Sequence, residues 1–217
     1  MAGIEHLGLF VLAGWLLNLT PGPDVLYIVT SALRGGVRAG LVAALGITAG
    51  CFVHIFAAAV GVSALLAASA TAFTVLKWVG ALYLLYVGWQ LLRSKTPSAI
   101  DLEATYADKT LATGLKSIFF KGFWTNALNP KVALFFLAFV PQFIAPEASN
   151  KALAFVLLGV IFNLNALPIN AGYAVLGGWA ARRLSVVQRG MHWLERVAGV
   201  MFMGFGLKLA LTDNPHL

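Results

Sequence analysis

The chain has 217 residues, of which 60% are apolar and 11% charged, and its mean hydropathy is +0.85. Soluble domains carry ~45–50% apolar and ~25% charged residues, and a sphere this small cannot hide so much apolar surface from water, so a bilayer is the expected solvent. The net charge of +7 is scattered between apolar runs, which points to topology signals and anionic-lipid contacts and argues against a nucleic-acid partner.

Six apolar segments follow in chain order. The first runs from about Ile4 to Leu33 and is interrupted at Thr20–Pro23. The second spans about Arg38 to Leu66, and the third about Thr71 to Leu92. A polar loop over 93–116 precedes the fourth, about Ser117 to Ile144, which is interrupted at Asn129–Pro130. The fifth, about Lys151 to Trp179, contains Pro168, and the sixth runs from about Met191 to Leu211. Most exceed the ~20 residues that cross a hydrocarbon core, so they must tilt, break or extend beyond it. Met1 to His6 carries no lysine or arginine, so the first segment is expected to be a retained span and not a cleaved leader.

Lysine and arginine set the expected orientation. Eleven of the 15 fall after segments one, three and five or on the adjoining helix ends, so those loops should be cytoplasmic and both termini outside. Trp78, Trp89, Trp179 and Trp193 lie near segment ends, where indole rings favour the membrane interface. The single cysteine, Cys51, cannot form an internal disulfide.

The two interruptions match. The first reads Asn18-Leu19-Thr20-Pro21-Gly22-Pro23-Asp24 and the second Asn126-Ala127-Leu128-Asn129-Pro130-Lys131. Pro21 and Pro23 lack an N–H and clash with the carbonyl one turn upstream, and Gly22 adds backbone freedom. The carbonyls of residues 17–19 lose their helical donors. In lipid each unsatisfied group costs ~2–7 kcal/mol, so a break of this kind needs protein or a water-filled cavity around it. Three-span halves have an odd count, so a duplicated half inserts upside down and the breaks approach the membrane middle from opposite faces. Interrupted segments at corresponding positions mark the binding site of secondary transporters.

These motifs, with Pro141-Gln142-Phe143, resemble the LysE/RhtB family of amino-acid exporters. The likeness extends over the whole chain in length, number of spans, the long third loop, and a proline with asparagines in segment five. It implies export of amino acids or close derivatives across the bacterial inner membrane, in exchange for protons.

Asp24 and Lys131 are the charges expected deep in the bilayer, where an unpaired charge costs at least ~2.5–3.5 kcal/mol. Each follows a break, and the two are expected to serve a zwitterion: Asp24 the ammonium or an exchanged proton, Lys131 the carboxylate. Asp24 also falls in the first turn after its break, near the positive end of that half-helix. Asn18, Thr20 and Asn129 border the breaks and join the expected site. In segment five, Asn165 and Asn170 flank Pro168 as candidate substrate contacts, and Asn163 is placed for backbone repair. His54 is a candidate proton shuttle. Gly46-x-x-x-Gly50 favours close helix packing within the chain over dimerisation, and the oligomeric state is left open. Neither a metal-ligand cluster nor a cofactor motif stands out in the sequence.

The expected fold is therefore an all-α integral membrane protein. Six transmembrane helices form two inverted three-helix repeats, about 1–95 and about 117–217, with helices 1 and 4 broken at Pro21–Gly22–Pro23 and at Pro130. The expected function is secondary export by alternating access and not enzymatic catalysis. A passive solute channel is the alternative, distinguished by its indifference to a pH gradient.

Overall fold

The computed structural model describes residues 3–20, 22–68, 70–93, 114–145, 147–180 and 184–211. Pro21 and nearly all of the polar loop, with Lys95 and Lys109, lie outside the described residues, as do the side chain of Trp193 and the basic pair Arg182–Arg183. Among the described residues the chain is helical. Its one β feature is an isolated antiparallel bridge between Ile4 and Ile144.

Helix α1 spans Leu7–Leu19. It stops where Thr20 turns extended, at ψ 121°, ahead of the Pro21–Gly22–Pro23 triplet. Helix α2, Pro23–Ala68, opens with a proline at its first position, where a missing N–H costs nothing. Two arms, 23–35 and 37–68, meet at Gly36, whose φ of 73° and ψ of 179° suit a residue without Cβ. A Cβ on Gly40 would lie 2.6 Å from that of Ala32, eight residues away and thus ~12 Å along a straight helix. The arms therefore fold back on each other. The separation of segments one and two near 34–37 is achieved by a single-glycine turn rather than by a loop.

Helix α3 covers Ala70–Arg93. Helix α4, Leu115–Ala127, ends ahead of Asn129–Pro130. Helix α5, Pro130–Leu134, runs on through a π turn over Phe135–Phe139 and a 3-10 turn over Val140–Phe143. The two parts of this fourth segment meet at a bend of 45°. Helix α6, Lys151–Ala180, keeps Pro168 in its interior. Helix α7, Leu184–Leu211, begins seven residues before the expected Met191. The missing turns carry Ser185, Gln188 and Arg189, too polar to register as apolar span.

By length and composition two helical stretches suffice to cross a membrane, Pro23–Gly61, which reverses at Gly36, and Lys151–Trp179, and the bent pair 115–143 makes a third. Large apolar side chains point outward all round, among them Val60, Leu128 and Leu164 at 74, 73 and 60% exposure. A water-soluble surface would not carry so many.

Helix α2 packs along both α6 and α4, α3 pairs with α7, and α1 lies against α6. The crossing of α2 and α4 is very close. A Cβ on Gly46 would collide with the carbonyl of Phe119, and one on Gly50 with that of Phe123. In return, a Cβ on Gly122 would sit 2.7 Å from the carbonyl of Ala43. The Gly46-x-x-x-Gly50 pair thus serves packing within the chain. The main core gathers Phe10, Phe135, Phe136, Phe139, Phe155 and Phe162, which lock α1, the π turn and α6 together. Backbone bonds from Glu5 N to Phe143 O (2.9 Å) and from Ala145 N to Gly3 O (2.8 Å) tie the entry of α1 to the end of the fourth segment. These constraints bring the two breaks side by side.

Candidate functional site

At the first break, Leu17 O would normally accept from the N–H of residue 21 and Leu19 O from that of residue 23. Both positions are proline. Lys131 Nζ instead donates to Leu17 O at 3.2 Å and to Thr20 O at 3.1 Å. Tyr173 Oη donates to Leu19 O at 2.8 Å. Gly22 makes room for the ammonium, since a Cβ there would lie 3.2 Å from Nζ. Thr20 is fully buried and turns its hydroxyl back to Leu16 O.

The second break is closed in the same manner. Asn126 O would pair with the N–H of residue 130, again proline. Asn129 N donates to it at 2.8 Å and His54 Nε2 also approaches it at 2.8 Å; because a carbonyl only accepts, that nitrogen carries the proton. Asn129 caps α5: its Oδ1 accepts from Lys131 N at 3.0 Å, satisfying one of the free N–H groups at a helix start. Its Nδ2 donates to Asp24 Oδ2 at 3.0 Å, and Asn126 Nδ2 donates to the same oxygen at 2.8 Å.

The charge that follows each break is thus held by the other break. Asp24, from the first, is gripped by the asparagines of the second, and Lys131, from the second, is bonded to the carbonyls of the first. Asp24 and Lys131 share one cavity, but no direct ion pair within 4 Å joins them.

That cavity has a volume of about 20 Å³, which is room for one water-sized group. Asp24, Asn126, Lys131, Asn18 and Asn170 line it with Thr48 and Asn163, and apolar walls come from Ile47, Phe162 and Ala166. Asn18 Nδ2 bonds Gly14 O at 2.8 Å, and Asn163 Nδ2 bonds Thr48 O at 3.1 Å. Two buried oxygens here have no hydrogen-bond partner, Asp24 Oδ1 and Asn126 Oδ1.

The structure therefore brings together Asp24, Lys131, Asn18, Thr20, Asn129, Asn170, Gly22, Pro23 and Pro130. Asn165 stands apart: its amide nitrogen bonds Ile161 O (2.9 Å) and its oxygen accepts from Trp15 Nε1 (3.2 Å). Pro168 is exposed within α6. Asn163 does not mend the backbone at Pro168 but reaches across to α2. His54 bonds the second break and lies outside the cavity lining. Sequence reasoning passed over Asn126, Thr48 and Tyr173 as site residues. Asn126 had a signal, since it stands one helical turn before Pro130 and three residues before Asn129 on the same face. Thr48 and Tyr173 had none. No group of three metal-ligating side chains occurs among the described residues.

Two broken helices meeting at a buried, charged cavity in a lipid-facing bundle define a membrane translocator. The family model for LysE type translocators matches residues 15–213, and the chain belongs to that family, whose members are translocators and not enzymes. It is 33% identical to the homoserine/homoserine lactone efflux protein of Salmonella typhimurium, over 93% of this chain and 94% of that one. It is 28% identical to the leucine efflux protein of Enterobacter sp. (strain 638), over 96% of each. An uncharacterized membrane protein of Pseudomonas aeruginosa shares 34% identity over 96% of each chain. No solved structure matches.

Proposed function

We propose that this protein exports amino acids or close derivatives across the bacterial inner membrane by alternating access, driven by proton antiport. Six spans in two inverted repeats would place both termini outside the cytoplasm, as the distribution of lysine and arginine indicates. The relatives that efflux homoserine and leucine support an amino-acid substrate.

One observation carries the reading: Asp24 and Lys131 line a single cavity between the two breaks. A zwitterion needs opposite charges a few ångströms apart, and this hollow offers both. Asp24 takes the substrate ammonium. Lys131 has two of its three N–H donors on backbone carbonyls and offers the third to the carboxylate. Protonation of Asp24 cancels its attraction for the ammonium, so proton and substrate compete for one group. A cavity that holds one water-sized group is closed to an amino acid, and loading requires the broken segments to part. Rocking of one repeat against the other supplies that motion.

The test is efflux of an amino-acid panel from preloaded cells, wild type against Asp24→Ala. Faster loss of at least one amino acid from wild-type cells, abolished by the substitution and by collapse of the pH gradient, is expected. Equal efflux of every compound from both strains defeats the proposal, and efflux indifferent to the pH gradient identifies a passive channel instead.

A further inference from the structure

Two buried acceptors beside the cavity lack a donor. Asn126 is 3% exposed, and its amide is fixed: an ionised carboxylate only accepts, so Nδ2 must face Asp24 Oδ2 (2.8 Å) and Oδ1 must turn away. That oxygen then has no partner, and neither has Asp24 Oδ1. Asn18 and Asn163 each spend one of their two amide N–H groups on a backbone carbonyl. The third N–H of Lys131 and the remaining amide N–H groups of Asn18, Asn163 and Asn170 share the cavity wall, yet none of them bonds either oxygen. Buried acceptors without donors are costly and uncommon in native proteins, and a ligand rich in N–H groups relieves them.

We infer that Asp24 Oδ1 and Asn126 Oδ1 form the seat of a primary ammonium group, and that the site reads the substrate's amine rather than its carboxylate. The inference rests on the export reading and adds a recognition rule to it. An unsubstituted ammonium brings three N–H donors in a head about the size of the single group the cavity admits. A trimethylated amine keeps the charge but brings no donor and a larger head, so it leaves both oxygens unpaired. The carboxylate, by contrast, meets a lysine already bonded to Leu17 O and Thr20 O. Masking it as a neutral amide forfeits one contact to a cation that is otherwise engaged.

The test is equilibrium binding to the purified full-length chain in detergent, with L-leucine and L-homoserine as probes. Each is presented as free amino acid, as carboxamide and as N,N,N-trimethyl derivative. Measurements at about pH 6.5 keep the amines charged, since an α-amino group titrates near ~7.7–8.0. The carboxamide should bind within about tenfold of the free amino acid, and the trimethyl derivative at least about 100-fold more weakly, as for a site built to bond N–H groups. Asn126→Leu should weaken free amino acid and carboxamide by a similar factor. The methylation series on the wild-type chain decides the matter even if that variant does not fold. Trimethyl derivatives that bind as well as the free amino acids, or carboxamides that fail to bind while the free amino acids do, overturn the ammonium seat and leave the export reading standing. If neither these probes nor any of a panel of twenty amino acids binds, the export reading falls and the seat with it.

Discussion

The Lys131 ammonium lies 3.2 Å from the carbonyl oxygen of Leu17, the acceptor whose helical donor would be the absent N–H of Pro21. A residue 114 positions away thus replaces a bond that local covalent structure has removed. The same Nζ reaches Thr20 O, so one cation secures two carbonyls of the first break while its backbone N–H is capped by Asn129 in the second.

Removal of that cation should destabilise the protein. Lys131→Met leaves two backbone carbonyls without their donor, at ~1–3 kcal/mol each when buried, and it uncovers the Asp24 charge. The thermal unfolding midpoint in detergent should fall and export should cease. Lys131→Arg retains donors and should recover part of the stability. An unchanged midpoint for Lys131→Met contradicts the bracing role.

Asp24→Asn keeps shape and loses charge. Asp24 Oδ2 accepts two amide bonds, and hydrogen bonds to an ionised acceptor contribute ~1.5–3 kcal/mol each. Export should drop by about tenfold or more, because the charge that attracts the substrate ammonium is gone. Residual flux should not respond to an imposed pH gradient. Proton-driven export that persists in Asp24→Asn removes Asp24 from the coupling step.

His54 donates to Asn126 O and stacks near Phe136, ring centroids 6.5 Å apart. Glutamine can supply an N–H at a similar reach, whereas leucine cannot. His54→Gln should therefore retain most export and an unaltered pH profile, while His54→Leu loses one hydrogen bond, ~0.5–1.5 kcal/mol, because Asn126 O keeps its bond from Asn129 N. A pH profile displaced by His54→Gln would restore the shuttle role expected from the sequence.

The crossing of α2 and α4 depends on missing side chains. Gly50→Leu forces a branched side chain into the backbone of Phe123, a contact that side-chain rotation cannot relieve. Overpacking of this kind costs ~1–3 kcal/mol or more and would spread Asn126 from Asp24. Gly8→Ala and Gly61→Ala meet nothing within 4 Å and should unfold with the wild type. Comparison of unfolding midpoints across the three variants checks the claim.

Much of the fold is legible in the sequence because it rests on local properties. Asn18–Asp24 and Asn126–Lys131 announce their breaks through prolines, and α3 and α6 lie within a residue or so of the expected spans. The start of α7 was missed because Ser185, Gln188 and Arg189 continue a helix in which they add no hydropathy. The turn at Gly36 looked like a short loop because hydropathy records where a span ends, not how sharply the chain reverses. In the site, Asp24 and Lys131 stand out because charge in an apolar run is costly wherever it ends up. Asn165 resembles Asn170 in the sequence, yet it lies five residues away, and 500° of helical rotation carries it round to Trp15.

The sequence by itself determined where the backbone must come unwound, since proline's missing N–H is a covalent fact that no packing alters. Only the tertiary structure decided who supplies the replacement donors. Lys131 and Tyr173 reach carbonyls far from them in the chain, and His54 adds a bond to one that Asn129 N already meets; that choice is made by which helices lie close enough, through glycines and phenylalanines, to put a donor within 3 Å or so of each oxygen.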